Sequence, residues 1–117
     1  MIVCVLDDLL FSVKISTTAK ALGVEVLFER TPGNVLARVK EKRPSLVVFD
    51  LNSAKMEPLA SVAVLKADPD TRSIPILGFV SHVHTEIIAA ARSAGIDEVL
   101  ARSAFAERLA SVLQQYG

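Results

Sequence analysis

Ser45-Leu46-Val47-Val48-Phe49-Asp50 runs apolar without a break from Leu46 to Phe49 and closes on an acid. A strand with one wet face alternates apolar and polar residues; a strand apolar at every position is covered on both faces, as in parallel sheets flanked by helices. Working outward from it, Thr31-Pro32 reads as a helix start, a hydroxyl cap followed by proline at the first helical position, with Val35, Leu36 and Val39 on one face up to Arg43. After it, Leu51 to Glu57 reads as a loop, and Pro58 opens a helix carrying Leu59, Val62 and Leu65 to about Ala67. The same alternation extends to both ends of the chain. Residues 2 to 6 form a strand ending at Asp7-Asp8, and a helix from Leu9 to Leu22, with Leu10, Val13, Ile15, Ala19 and Leu22 at mostly helical spacing, stops at Gly23. Val24 to Phe28, Ile74 to Val80 and Glu98 to Ala101 are the other strands. Thr85 to Ala94, closed by Gly95 with Ile87, Ile88 and Ala91 inward, and Ala104 to Leu113 are the other helices. Five strands alternating with five helices on short connections require βαβ crossovers, hence one doubly wound α/β domain over residues 1–117.

Composition agrees. Of the 117 residues 51% are hydrophobic but only 5% aromatic, so the apolar content is aliphatic. A mean hydropathy of +0.44 suits either a membrane protein or a compact α/β domain with buried strands. No run approaches the ~18 apolar residues of a membrane span, and Met1 to Leu6 lacks the basic lead-in of a signal peptide and meets two acids at once. Thirteen basic and thirteen acidic residues cancel, leaving no overall field to draw in nucleic acid or an anionic membrane. A single cysteine excludes an intramolecular disulfide framework. The expectation is a soluble, cytoplasmic protein.

In an open sheet of this kind ligands collect at the carboxyl ends of the strands. Asp7 and Asp8 follow the first strand, Asp50 ends the third, Val80 and Ser81 close the fourth, and Ala101 and Arg102 the fifth. Three carboxylates at one edge repel one another unless a cation sits among them, and Mg²⁺ suits such a set. A carboxylate screened in this way can attack a phosphoryl group and form an acyl phosphate. The competing explanation is that Asp7 and Asp8 cap the first helix while Asp50 ends a strand at water.

At this point the chain resembles a known family, the CheY-like receiver domains of bacterial two-component response regulators, over essentially its whole length. Val5-Leu6-Asp7-Asp8 resembles the family's acid pair, and Val47-Val48-Phe49-Asp50 the strand bearing its phosphoacceptor. Asp50-Leu51-Asn52-Ser53-Ala54-Lys55-Met56-Glu57-Pro58 keeps the spacing of the family's Asp-x-x-Met-Pro-x-Met-Asp-Gly loop with Ser, Ala, Glu and Pro substituted. Leu65 to Ile76 is similar to many receivers almost letter for letter, and Ala94-Gly95-Ile96-Asp97 to the family's Ala-Gly-Ala-Asp element. The resemblance implies a flavodoxin-like sheet of order 2-1-3-4-5, with Asp50 as phosphoacceptor. It further implies Mg²⁺ on Asp7, Asp8, Asp50 and the backbone carbonyl of Asn52, a sensor histidine kinase or phosphotransfer protein upstream, and a protein partner downstream.

Three positions depart from the pattern. The family's hydroxyl, five residues after the proline of the fourth strand, falls on Val80; Ser81 is one step late and replaces it only through a bulge or register slip. The family's lysine, seven after the glycine, is Arg102, longer, planar and not an equivalent point charge. Its aromatic switch, four after that glycine, is Val99, which has no polar tip to swing. The expectation is therefore an atypical receiver, phosphorylated at Asp50 or, alternatively, a pseudo-receiver that binds its partner independently of phosphate, in either case a signalling module and not an enzyme, as a monomer or weak dimer.

An enzyme or cofactor binder on the same fold is the more distant alternative. A flavodoxin needs a Ser/Thr/Gly-rich phosphate loop after the first strand, and Asp8-Leu9-Leu10-Phe11-Ser12 is not one. A dehalogenase-type phosphatase needs Asp-x-Asp, but Leu9 stands two after Asp7; a sulfur nucleophile belongs at a strand end, and Cys4 lies inside the strand. Cys4 reads as a small buried hydrophobe. His82 and His84 read as a solvated loop without a third ligand, and Glu29-Arg30 and the Lys40 to Arg43 run as solvated charge.

Overall fold

The computed structural model describes residues 1–117. Its strands are β1 (Ile2–Val5), β2 (Val26–Glu29), β3 (Leu46–Asp50), β4 (Ile76–Val80) and β5 (Glu98–Ala101). Its helices are α1 (Leu9–Leu22), α2 (Val35–Lys42), α3 (Pro58–Ala67), α4 (Thr85–Ala94) and α5 (Arg102–Tyr116), with 3-10 turns at Pro32–Asn34 and Ala54–Met56. The strands pair in parallel in the order β2-β1-β3-β4-β5, the doubly wound topology read from the sequence. No helix is long and apolar enough to cross a membrane.

Strand alternation sends side chains to two layers. Ile2, Cys4, Leu46, Val48, Leu77 and Phe79 face α1 and α5, while Val3, Val5, Val47, Phe49 and Ile76 face α2, α3 and α4. On the α1/α5 side Phe11, Phe79 and Phe105 form an aromatic stack, with centroids of Phe79 and Phe105 5.0 Å apart and nearly parallel and that of Phe11 5.0 Å from Phe79. Burying such a ring is worth roughly 1.5–3 kcal/mol, and ring–ring contacts add about 0.5–1.5 kcal/mol. The Leu51 side chain, on the residue that follows β3, packs close over Gly78 in β4: a Cβ there would lie 2.9 Å from Leu51 Cδ1.

Several local expectations are corrected. The inward stripe of α1 is Phe11, Ser12, Ile15 and Ala19, while Leu10 and Val13 are 85% and 63% exposed. An apolar residue at nearly every turn position leaves the phase open, and the start of the helix at Asp8 sets it. α2 begins only at Val35, after a 3-10 turn Pro32–Asn34; Thr31 is the N-cap residue of that turn, with Pro32 at its start, but its hydroxyl makes no cap hydrogen bond. Its N–H, with that of Arg30, goes instead to Glu29 Oε2, and Arg38 Nε binds Glu29 Oε1 at 3.2 Å. Glu29 is thus a buried acceptor that terminates β2 and not a solvated charge, because N–H groups leaving a strand end need partners. β2 and β4 begin two residues later than the apolar runs suggest, at Val26 and Ile76, and for β4 the preceding Pro75 has no N–H to place in a ladder. α5 is longer at both ends than the Ala104–Leu113 reading, running from Arg102 to Tyr116.

Candidate functional site

The carboxyl edge collects the acids where the fold requires. Val5 pairs with Phe49 and Asp50 with Phe79, so β1 and β3 release their next residues side by side. Asp50 is 4% exposed, Asp8 half-buried and Asp7 exposed. Each carboxylate is engaged. Asp8 is the N-cap of α1, its Oδ1 accepting the Phe11 N–H at 3.0 Å, which meets one of the orphan donors of the first turn. Its Oδ2 accepts from Arg102 Nη2 in a salt bridge. Asp7 Oδ1 accepts the Ser53 hydroxyl at 2.7 Å, and Asp50 Oδ1 accepts the Asn52 N–H at 2.9 Å. The capping explanation is therefore correct for Asp8, though not for the other two acids.

Arg102 opens α5 directly after β5 and reaches across to α1. Its guanidinium carbon lies 4.5 Å from the Phe11 ring centroid and 6.0 Å from that of Phe79, within cation–π range. The Arg102 hydrogen bond, aided by the Phe11 N–H, holds the Asp8 carboxyl below the usual carboxylate range. Burial pushes the Asp50 carboxyl up, with the Asp8 and Asp7 charges adding to the rise and the Asn52 N–H and Arg102 opposing it.

The remaining candidates fall elsewhere. Val80 ends β4 fully buried, paired with Ala101 in an unbroken register, so no bulge brings Ser81 into its place. Ser81 leaves the strand, donates its backbone N–H to Asn52 Oδ1 at 2.7 Å, and lines an open cleft of about 470 Å³ with Phe11, Lys14, Arg102, Ser103 and Ala106. Asn52 thus ties the loop after β3 to the one after β4 through its side chain, a role its place in the loop motif did not suggest. Val99 is half-buried against the α2/α3/α4 layer. His82 and His84 are exposed, and burial pushes the Cys4 thiol up to about 12. Sequence reasoning missed Phe11 and Phe79 as supports for the cation. Phe11, three residues after the helix-capping acid and so on its side of α1, was the available signal.

As arranged, these residues do not fit a divalent ion. No group of three or more His, Cys, Asp or Glu side chains is placed to hold one, and Asp8 has both oxygens in use.

No protein-family model matches the sequence, and no curated protein matches it either. Solved structures do. The chemotaxis response regulator CheY4 of Vibrio cholerae is similar at a TM-score of 0.84 and 21% identity, covering 99% of this chain and 97% of that one. A response regulator from Hahella chejuensis gives 0.84 at 15% identity, over 98% of this chain and 93% of that one. The receiver domain of sensor histidine kinase PA1611 from Pseudomonas aeruginosa PAO1, with magnesium coordinated in its active-site cleft, gives 0.83 at 17% identity, over 98% and 94%. At these identities the likeness is one of fold: the chain has the fold of response-regulator receiver domains along nearly its whole length.

Proposed function

We propose that the chain is a receiver-like module of two-component signalling that works through protein contacts, and that its contacts do not wait for phosphorylation of Asp50. The observation that carries this is the state of the acidic corner: Asp8 is spent on the α1 cap and on Arg102. Two further features agree with it. The hydroxyl expected beside a phosphoryl group is a buried valine, Val80, and the aromatic expected to relay its presence is Val99. The three acids then serve the fold more than a reaction. Asp7 and Asp50 fasten the loop after β3, and Asp8 joins α1 to α5. Leu9, Leu10 and Val13, exposed on the first turns of α1 beside this corner, support a protein as the target. A sensor kinase or phosphotransfer protein is then a docking partner and not a phosphodonor, and Mg²⁺ has no resident place.

The test is incubation with Mg²⁺ and a small acyl-phosphate donor, followed by intact mass. The expected result is no added phosphoryl group on the wild type beyond that on Asp50→Asn. A phosphoryl adduct present on the wild type and missing from Asp50→Asn would show a working acceptor and end this reading.

A further inference from the structure

We propose that the outward face of α3 is the contact through which two copies of this chain associate, as a weak antiparallel dimer on a two-fold axis near Ala63. The surface belongs to the α2/α3/α4 side of the sheet and includes none of Asp7, Asp8, Asp50 and Arg102.

α3 is apolar nearly all the way round. Its only polar side chains are Ser61 and Lys66, and both are turned away from the outward face. Ser61 is buried and donates its hydroxyl to the Met56 carbonyl at 3.1 Å, while Lys66 Nζ bends back to the carbonyls of Arg72 and Ile74 and to Asp97. What is left outward is Leu59, Ala60, Ala63, Val64 and Ala67, at helical spacing and without a charge or a hydrogen-bonding side chain. Leu59 and Val64 are 40% and 48% exposed. A helix apolar on every side belongs in an interior, and α3 has one only on its sheet side. Its neighbours are built differently: α2 turns Lys40, Glu41 and Lys42 to solvent, and α4 turns Glu86 and Arg92. The apolar surface also spreads beyond the helix. A cleft of about 290 Å³ opens between Val64 and α2 at Val35 and Leu36, and one of about 80 Å³, walled by apolar residues alone, lies between Leu59 and α4 at Ile87 and Ala90. A contiguous apolar surface rimmed by charge marks a protein contact.

A second copy fits this face because the face complements itself. Two identical chains on a two-fold axis pair residue i with j and j with i. With α3 helices antiparallel and centred on Ala63, Leu59 of each copy lies opposite Ala67 of the other and the two Ala63 residues meet. The large side chain then faces a small one, and the helix axes can approach to about 8 Å. The charges at the two ends of α3 follow the same symmetry. Lys55 and Glu57 stand at its entry, Asp70 and Arg72 just past its exit, all four exposed. Lys55, Glu57 and Arg72 make no ion pair within the chain. Antiparallel pairing carries Lys55 of one copy toward Asp70 of the other and Glu57 toward Arg72, and sets opposite helix ends together. Parallel pairing would set like charge against like. The contact is small: ten residues of helix span about 15 Å and are about 10 Å wide, so even with the flanking clefts the footprint stays below the roughly 800 Å² per partner of a standard interface. The dimer therefore forms reversibly and only at high concentration.

Sedimentation equilibrium of the full chain from micromolar to millimolar concentration tests this. Wild type is expected to pass reversibly from monomer to dimer across that range. Val64→Lys, which puts a charge on each side of the contact at an exposed position, is expected to weaken association at least about tenfold. Leu10→Lys, on the exposed face of α1, is expected to leave it unchanged. Ala63→Cys gives a second readout that does not depend on whether Val64→Lys folds, as judged by far-UV circular dichroism. It sets one thiol of each copy at the axis, and the native Cys4 is buried, so mild oxidation should link this variant into a disulfide dimer faster than the exposed Ala110→Cys on α5. A wild-type chain that stays monomeric at millimolar concentration overturns the proposal. So does a folded Val64→Lys that associates like wild type, a dimer lost in Leu10→Lys, or an Ala63→Cys that links no faster than Ala110→Cys.

Discussion

The two faces of the sheet are built from different materials. On the α2/α3/α4 side the core is aliphatic, with Val35, Val39, Val62, Leu65 and Ile96 packed around Phe49 as its only aromatic ring. On the α1/α5 side four of the five phenylalanines gather: Phe11, Phe79 and Phe105 buried, and Phe28 packed against them. The aliphatic layer closes the sheet. The aromatic layer also closes it, but its upper end is the platform under Arg102, so packing and electrostatics meet there. A chain poor in aromatic residues has concentrated them on the side of the sheet where Arg102 lies against a ring face.

Matched core truncations on the two faces separate these roles. Phe79→Ala should cost roughly 3–5 kcal/mol and Leu65→Ala roughly 2–5 kcal/mol, both by the loss of buried volume, measured by urea denaturation. Only Phe79→Ala should also disturb the corner: the Asp8 carboxyl, followed by NMR titration, should rise toward its ordinary value, whereas Leu65→Ala should leave it where it is. Equal behaviour of Asp8 in both variants would erase the distinction between the faces.

A smaller effect is expected from pH. Asp8 has a depressed value in the folded state, so its contribution is complete above the unfolded carboxylate value near about 3.9 and is lost as pH falls through the folded value. Asp50 is raised, so it has the opposite sign: it favours folding below about 3.9 and loses that contribution as pH climbs through its folded value. Asp50→Asn should therefore be modestly more stable than wild type at pH 7, since the Asn52 N–H keeps its acceptor while the desolvated charge is gone. The gap should close as the solution is acidified, in denaturation curves recorded at pH 7 and below the ordinary carboxylate value of about 3.9.

Much of this fold is legible in the sequence because burial on both faces leaves a simple trace. Leu46 to Phe49 cannot be half-exposed, the acids after β1 and β3 mark the strand ends, and Gly23 and Gly95 mark helix ends by taking positive φ values of 70° and 113°. What was not legible depended on phase and on partners far apart in the chain. The apolar residues of α1 allow more than one inward stripe, and only the cap at Asp8 decides that Leu10 faces out. Glu29 looks like surface charge until the strand end needs an acceptor. The site shows the same division: Asp7, Asp8, Asp50 and Arg102 could be placed at one edge from strand ends alone. That Arg102 pairs with Asp8, 94 positions away, and lies on the Phe11 ring follows only from the packed helices.

The most direct test of this account is a crystal structure of the wild-type chain grown with Mg²⁺ and beryllofluoride, which mimics an acyl phosphate on a competent aspartate. Arg102 should still be paired with Asp8 over the Phe11 ring, and the Asp50 carboxylate should carry nothing but its bond to the Asn52 N–H. Beryllofluoride on Asp50, with Mg²⁺ among Asp7, Asp8 and Asp50 and Arg102 turned away, would contradict it.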